Sequence, residues 1–267
     1  MAQAVGISAD HIHREGKQQH KDVQLKAHIE AVWHTEKPAH PGYGPVRLGW
    51  HLGINHKRIS RVMKKFGLHP PRRRRHHYCT QQSKRHHSYT NLIHHLVVTR
   101  SNQVWVYDVS FFWFQGCFWY LATIEDLFTR QILAAQVSRH HDRFLILSVS
   151  KQAVERVGYG PDTIHSDQGT EFLALVVTTF WEAEQGTAIS VSDPASPWQN
   201  GYKESFFGHF KDDLGYMEQF NSPGEFIAGI YEQVRYYNQD RLHRSLKMTP
   251  NQFTEKVSEN SRHVWGT

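Results

Sequence analysis

The chain has 267 residues, of which 39% are hydrophobic and 13% aromatic, which is enough for a packed core and excludes a wholly disordered chain. Its formal net charge is +6, and no uncharged apolar run approaches the ~18 residues of a membrane span. With no signal-peptide pattern at the N-terminus and only Cys79 and Cys117, too few for a disulfide framework, we expect a cytoplasmic protein with no membrane partner.

The positive charge is concentrated in one part of the chain. No Asp or Glu occurs between Glu36 and Asp108, whereas this interval holds fourteen Lys and Arg, including the run 72–75. A long segment of one sign repels itself unless a polyanion neutralises it. We therefore favour nucleic acid as a partner over a solvated linker with a chance bias.

Residues 24–68 have the apolar spacing of three short helices. The first has Leu25, Ile29 and Val32 on one stripe, and the segment PAHPGYG breaks it. Asn55 is the predicted N-cap of the third. A basic last helix after two others matches a helix-turn-helix over 20–68, with a helical bundle as the alternative. The candidate DNA-binding cations on its outer face are Lys57, Arg58, Arg61, Lys64 and Lys65.

Residues 69–100 are basic, rich in histidine and poor in periodic apolar residues, so we interpret them as a linker. The histidine pairs do not predict zinc, because no Cys-x-x-Cys or spaced Cys/His quartet accompanies them. Solvated or phosphate-facing histidines are favoured instead. The candidate DNA-binding residues of this segment are Arg72, Arg73, Arg74 and Arg75.

From Asn102 onward the pattern changes to α/β. Segments rich in β-branched and aromatic residues predict an antiparallel meander, and helices then alternate with short strands. The predicted strands are 103–114, 118–124, 131–138, 163–166 and 188–192, and the predicted helices are 143–157, 170–185 and one that begins at Ser196.

Two aspartates belong to the predicted sheet. Asp108 lies inside VWVYDVSFF, a strand that is apolar on both faces, where an ionised carboxylate is costly unless it is paired or binds a metal. Asp167 ends the strand of TIHSDQGTEF, at the edge where α/β sheets place ligands. The structural alternatives are an internally hydrogen-bonded Asp108 and a local turn or helix cap at Asp167.

The helix that begins at Ser196 carries Glu204. Ser, Pro and Gln at its start form a capping pattern, and Gly215 is placed to end it. One side is apolar, and a solvated Glu is the structural alternative for the other. The apolar side carries Tyr202, Phe206, Phe210 and Leu214, and the opposite side carries Asn200, Glu204, Gly208 and Lys211.

Asp108, Asp167 and Glu204 together predict an all-oxygen metal site at a sheet edge. Carboxylate and phosphate oxygens suit Mg²⁺ (or Mn²⁺), and two such ions ~3.5–4 Å apart promote in-line displacement at phosphorus. Lys203 and Lys211 flank the site and fit a phosphodiester substrate.

These residues resemble the integrase core of DDE transposases, and more specifically the second-reading-frame product of the "insertion sequence three" family. The resemblance covers residues 20–253 and rests on QVWVYDVS, HSDQGTEF, SPWQNGYKESFFGHFKDDL and YYNQDRLHRSLKMTPNQF, with GYGPVRL and GINHKRISRVMKKFGL upstream. Two departures from the family occur. First, the segment 168–203 between the second Asp and the Glu is one residue longer than is usual, with the extra residue in LALVVTTFWEAEQG. Second, the residue before Asp108 is Tyr107.

The resemblance implies an α/β, ribonuclease H-like integrase core, with a mixed five-stranded sheet and flanking helices, after a small all-α helix-turn-helix domain. It implies domains at 20–68 and 101–253, joined by the linker 69–100 and followed by a tail at 254–267. It also implies Asp108, Asp167 and Glu204 as the catalytic triad with two ions, and DNA contacts near Asn200 and Lys211.

The implied reaction is cleavage at the element's ends, followed by attack of the freed 3′-hydroxyl on target DNA. The implied partners are double-stranded DNA, further copies of the chain on that DNA, and the first-reading-frame product, in the bacterial cytoplasm at the nucleoid. Two alternatives remain open: a catalytically inactive DNA-binding product that regulates transposition, and a ribonuclease H-like nuclease that cuts without joining.

Overall fold

The computed structural model describes residues 9–70, 89–192 and 201–264, with side chains from 17 onward and without those of 201–205 and 260–264. The chain divides into two compact units, Met1–Arg73 and Arg74–Thr267. The predicted helix start at Ser196, the arginines at 72–75 and Asn200 lie outside the described residues.

The first unit contains the three predicted helices: α1 (Ala9–His34), α2 (Pro45–Leu52) and α3 (His56–Phe66). The side chain of Asn55 accepts a hydrogen bond from the Lys57 amide at 2.9 Å, which confirms the predicted N-cap. α1 begins well before the apolar stripe that predicted it. The apolar faces of the helices form a core of Leu25, Ile29, Val32, Leu48, Ile59 and Val62.

A buried carboxylate joins α1 to α3 in this unit. Asp22 is fully buried and accepts hydrogen bonds from Arg61 Nη1 and from Lys65 Nζ, both at 2.9 Å, and from Gln18 at 2.7 Å. The bonds from Arg61, Lys65 and Gln18 outweigh the effect of burial and hold the pKa of Asp22 well below its usual range. Two of the cations predicted on the outer face of α3 therefore also fix that helix to α1.

The second unit contains a mixed five-stranded sheet in the order β3-β2-β1-β4-β5. Its strands are β1 (Val104–Phe114), β2 (Cys117–Asp126), β3 (Ile132–Ser138), β4 (Thr163–Ser166) and β5 (Ala188–Val191). β1 to β3 form the predicted antiparallel meander, whereas β4 is parallel to β1 and β5 is parallel to β4. The strand that carries Asp108 is central, as predicted.

Helices cover the two faces of the sheet. Trp105 and Tyr107 of β1 pack in one core with α4 (Arg143–Val157) and α5 (Leu175–Thr179). Phe112 and Phe114 pack in a second core with α6 (Gly201–Leu214) and α7 (Pro223–Gln239). A further helix, α8 (Pro250–Val264), runs across the predicted boundary between core and tail.

The predicted helix over 170–185 is only partly helical. It begins at Leu175, and from Phe180 to Glu184 it is a π-helix, closed by a hydrogen bond of 3.1 Å from the Gln185 amide to the Phe180 carbonyl. A π-turn accommodates one residue more than an α-turn of the same rise. The π-turn is therefore a place where the extra residue predicted in this segment can be accommodated.

The last part of the predicted linker packs with the second unit. The Val191 amide of β5 donates to the Thr90 carbonyl at 3.2 Å, and the Leu92 amide donates to Ser190 Oγ at 2.9 Å. Tyr89 packs against the core of the sheet. The chain is therefore attached to the edge strand β5 before β1 begins.

Candidate active site

Asp108 and Asp167 are brought together by the pairing of β1 with β4. The last paired residues of these parallel strands are Val106 and His165, and each aspartate lies two residues further along its chain. Side chains two residues apart share a face, and neighbouring strands lie ~4.8 Å apart. The register, continued by two residues and so one residue beyond the end of β4, sets the backbone positions of Asp108 and Asp167 next to each other.

The two aspartates have different surroundings. Asp108 is half-buried, and its main-chain carbonyl accepts a hydrogen bond of 3.4 Å from Thr123 Oγ1 on β2. Asp167 is exposed just beyond β4, and its Oδ1 accepts a bond of 2.9 Å from the Gly169 amide. The local turn considered for Asp167 is present, and it holds the carboxylate at the end of the strand.

The protein around Asp167 favours its neutral form. Desolvation by the surrounding protein raises the pKa of this surface carboxyl, and the bond from Gly169 opposes this. The negative charge of Glu171 raises the pKa further, whereas the charge of His141 lowers it. Added positive charge beside Asp167 would favour its ionised form.

His141 and Glu171 form an ion pair beside Asp167 that the sequence did not predict. His141 Nε2 lies 2.9 Å from Glu171 Oε1, and its ring is stacked 5.1 Å from that of Tyr120. The bond to Glu171 raises the pKa of His141, with a smaller contribution from Asp167. Glu171 is the second acid of HSDQGTEF, which is the only sequence signal for this pair.

Tyr107, the unusual residue before Asp108, points to the other face of β1. Its hydroxyl contacts Ser150 Oγ and accepts a bond of 2.8 Å from Trp181 Nε1 in the core beneath α4. Burial raises the pKa of Tyr107, so it is neutral. The tyrosine therefore stabilises the core and does not occupy the face that carries Asp108.

α6 covers the face of β1 that carries Asp108. Phe206 and Phe210 of the helix pack with Phe112 and Phe114 of β1. These two strand residues lie on the same face of β1 as Asp108 because side chains alternate along a strand. Gly215, with φ of 79°, ends the helix as predicted. Glu204 and Lys203 lie in the first turn of α6, and their side chains are outside the described residues.

Lys211 lies against the same strand. Its Nζ donates to the Phe111 carbonyl at 2.9 Å and lies 5.1 and 4.9 Å from the ring centres of Phe111 and Phe112. Lys211, from the predicted polar side of α6, therefore contacts β1 rather than only bulk solvent. Contact of Lys211 with DNA remains a prediction.

The cations of α3 fall into two groups. All five are exposed, and Arg61 and Lys65 also bind Asp22. A groove of about 560 Å³ is lined by Gln18, Lys21, Arg58 and Arg61. This surface carries cations from both α1 and α3, as a phosphate-binding surface does.

Comparisons with known proteins agree with this fold. A model of the integrase core domain matches residues 98–197, and a second integrase core model matches 185–250. The chain is 30% identical over 196 residues to an "Uncharacterized transposase-like protein" of Haemophilus influenzae, covering 73% of this chain and 90% of that one. It is 29% identical over 241 residues to the transposase for insertion sequence element IS904 of Lactococcus lactis, covering 87% and 94%.

Among solved structures, the fold is similar to a chain of the simian T-cell lymphotropic virus intasome in complex with PP2A regulatory subunit B56 gamma. The TM-score is 0.51 at 16% identity, covering 79% of this chain and 70% of that one. The fold is therefore that of a ribonuclease H-like integrase core. The chain belongs to the insertion-sequence transposases that carry such a core, and it is a polynucleotidyl transferase acting on DNA.

No helix within the described part of the chain is long and apolar enough to cross a membrane.

Proposed function

We propose that Asp108, Asp167 and Glu204 are the catalytic triad of this transposase and bind two Mg²⁺ or Mn²⁺ ions. The reaction is cleavage at the element's ends and transfer of the freed 3′-hydroxyl to target DNA. The observation that carries the proposal is that Asp108 and Asp167 each lie two residues beyond the last paired residues of β1 and β4. α6 covers the face of β1 that carries Asp108.

The contact of Lys211 with β1 supports the inclusion of Glu204. Glu204 lies seven residues before Lys211 on the same side of α6, a rise of ~10.5 Å. Asp108 lies three residues before Phe111, a distance of ~10 Å along the strand. If α6 runs along β1 from the Lys211 contact, Glu204 reaches the level of Asp108.

The donor set fits a hard divalent cation, because all three side chains offer carboxylate oxygens and Asp167 is exposed. When bound, such ions activate the attacking hydroxyl and stabilise the leaving oxygen. β1 carries Asp108, and the bond from the Gly169 amide orients Asp167 at the end of β4. The chain needs no covalent intermediate with DNA for this chemistry.

The proposal includes the parts of the chain that bind DNA and partners. The exposed cations of α3 contact phosphates of the element's ends; they are Lys57, Arg58, Arg61, Lys64 and Lys65. Asn200, Lys203, Lys211 and the run 72–75 are further candidates. The domains are a helix-turn-helix at 20–68, a basic linker at 69–100, the catalytic core at 101–253 and a tail at 254–267. Copies of the chain assemble on DNA with the first-reading-frame product, in the bacterial cytoplasm.

The test uses labelled element ends incubated with the full chain and Mg²⁺, with and without the first-reading-frame product. We expect cleavage and joining by the wild type, and neither by Asp108→Asn, Asp167→Asn or Glu204→Gln, with DNA affinity largely retained. Glu171→Gln is the matched control, since it changes a nearby acid outside the triad and should leave some joining. Wild-type activity in a triad variant would remove that residue from the site.

The same assay separates the alternatives. DNA retention by the wild type without any chemistry would support a regulatory DNA-binding product. Nicked DNA without joined product would support a nuclease. Two relatives that match most of the chain are described as a transposase-like protein and a transposase, which favours cleavage followed by joining.

A further inference from the structure

We propose that Glu36, His40 and His51 form a binding site for a zinc-class divalent cation in the first unit of the chain. One carboxylate oxygen of Glu36 and one ring nitrogen of each histidine all lie within 4.8 Å of one another. Glu36 and His40 belong to the connection between α1 and α2, and His51 lies in the last turn of α2. The site is distinct from the acidic triad in residues and in ligand chemistry.

The connection between α1 and α2 is folded so that it presents these side chains. The amides of Glu36 and His40 donate to the carbonyls at 31 and 32 near the end of α1, at 3.0 and 2.8 Å. The Tyr43 amide donates to the His40 carbonyl at 3.1 Å, and the two rings are stacked 4.5 Å apart. Because Tyr43 is fully buried, it holds the His40 ring in place. The fold thus pre-organises the ligands before any cation binds.

The spacing of the three groups is close to that of a coordination sphere. His51 Nε2 lies 2.7 Å from Glu36 Oε2, and the His40 and His51 rings are 4.8 Å apart at 65°. In a tetrahedral site with bonds of ~2.0–2.1 Å, ligand atoms lie roughly 3.3 Å from one another. A cation between Glu36 and His51 replaces their direct hydrogen bond, and a small rotation of the rings completes the geometry.

The donor set selects the class of cation. Two imidazoles and one carboxylate suit Zn²⁺ and its neighbours, whereas Mg²⁺ prefers oxygen ligands. Zinc with three protein ligands takes water as its fourth. The side chains of Glu36 and His51 are 36% and 28% exposed, which gives a fourth ligand access, while His40 is buried.

A cation bound at this site links the connection between α1 and α2 to the last turn of α2. A cation that binds the folded unit and not the unfolded chain stabilises the fold by mass action. Without the cation, the partly exposed His51–Glu36 pair and the His40–His51 ring contact join the same two elements. We therefore expect zinc to raise the thermal stability of the first unit independently of DNA and of catalysis.

The test uses the full chain with Asp108→Asn, Asp167→Asn and Glu204→Gln, so that the proposed triad binds no metal. After chelator treatment, ZnCl₂ is titrated by calorimetry, and CoCl₂ by visible absorption, whose intensity reports the coordination number of the bound ion. We expect one equivalent to bind and the melting temperature to rise by several degrees. Glu36→Gln and His51→Ala, both at exposed side chains, should each weaken binding by more than ~10-fold.

His28→Ala is the matched control, because His28 is an exposed histidine on α1 away from the cluster, and it should bind zinc as the parent does. Circular dichroism of each variant checks that its helical content matches that of the parent. Absence of zinc binding by the parent would overturn the proposal. Equal binding by His51→Ala or Glu36→Gln would also overturn it, since the cation would then be held by other residues, such as the histidines of 69–100.

Discussion

Arg241 and Asp213 form a buried ion pair that joins the chain after α7 to the last turn of α6. Arg241 Nε donates to Asp213 Oδ2 at 2.5 Å, and the two side chains are 3% and 2% exposed. Burial lowers the pKa of Arg241, but the charge and hydrogen bond of Asp213 more than compensate, so the guanidinium stays charged. The pair fixes the helix that carries Glu204.

Arg241→Ala leaves the Asp213 charge buried without its partner. We expect a loss of about 3–5 kcal/mol in the free energy of unfolding, which denaturant titration measures. The double variant Arg241→Met with Asp213→Leu should recover much of this loss, because it removes both charges. A loss in the double variant as large as in Arg241→Ala would show that the pair is not the cause.

Arg58 and Arg61 lie on the same helix but should respond differently to substitution. Arg58→Ala should reduce the slope of log affinity for DNA against log salt by about one unit for each phosphate that the arginine binds, with unchanged stability. Arg61→Ala should lower the melting temperature, because Asp22 loses a partner. DNA binding across a salt series and thermal melting measure the two effects.

The pH dependence of the first unit follows from Asp22. Its pKa is lowered on folding, so its contribution to stability is present above the ordinary range of Asp and is lost as the pH falls toward the folded-state value. In Asp22→Asn this acid-dependent loss should be absent and the melting temperature at neutral pH lower. Equal acid sensitivity of both proteins would contradict the assignment.

The His141–Glu171 pair contributes to stability with the opposite pH dependence. The pKa of His141 is raised on folding, so its contribution is present below the ordinary range of His and is lost as the pH rises through the folded-state value. Glu171→Gln removes the main cause, and we expect NMR titration to show a lower pKa for His141. An unchanged pKa would mean that the pair does not form in solution.

The sequence predicted most of the sheet and both strand aspartates, because alternation and flanking turns are local signals. Asn55 and Gly215 were placed correctly for the same reason. The partner of Arg61 is 39 residues away, so the pattern of α3 alone indicated a solvated cation. The cluster of Glu36, His40 and His51 arises from the fold of a proline-rich connection, which no fixed spacing encodes.

The π-helix allows a test of the extra residue between Asp167 and Glu204. Deletion of Ala183, which is exposed within Phe180–Glu184, should convert the π-turn to an α-turn and change the melting temperature by only a few degrees. Deletion of Val177, buried in α5, should unfold the core or destabilise it severely. Equal damage by both deletions would show that the π-turn does not accommodate the extra residue.

The central claim is that three carboxylates share a pair of cations, and anomalous diffraction from crystals of the chain grown with Mn²⁺ tests it most directly. We expect two anomalous peaks ~3.5–4 Å apart, with oxygens of Asp108, Asp167 and Glu204 as ligands. Two results would contradict the account. One is ions bound by the two aspartates while Glu204 lies elsewhere, and the other is the absence of a peak beside Asp108 and Asp167.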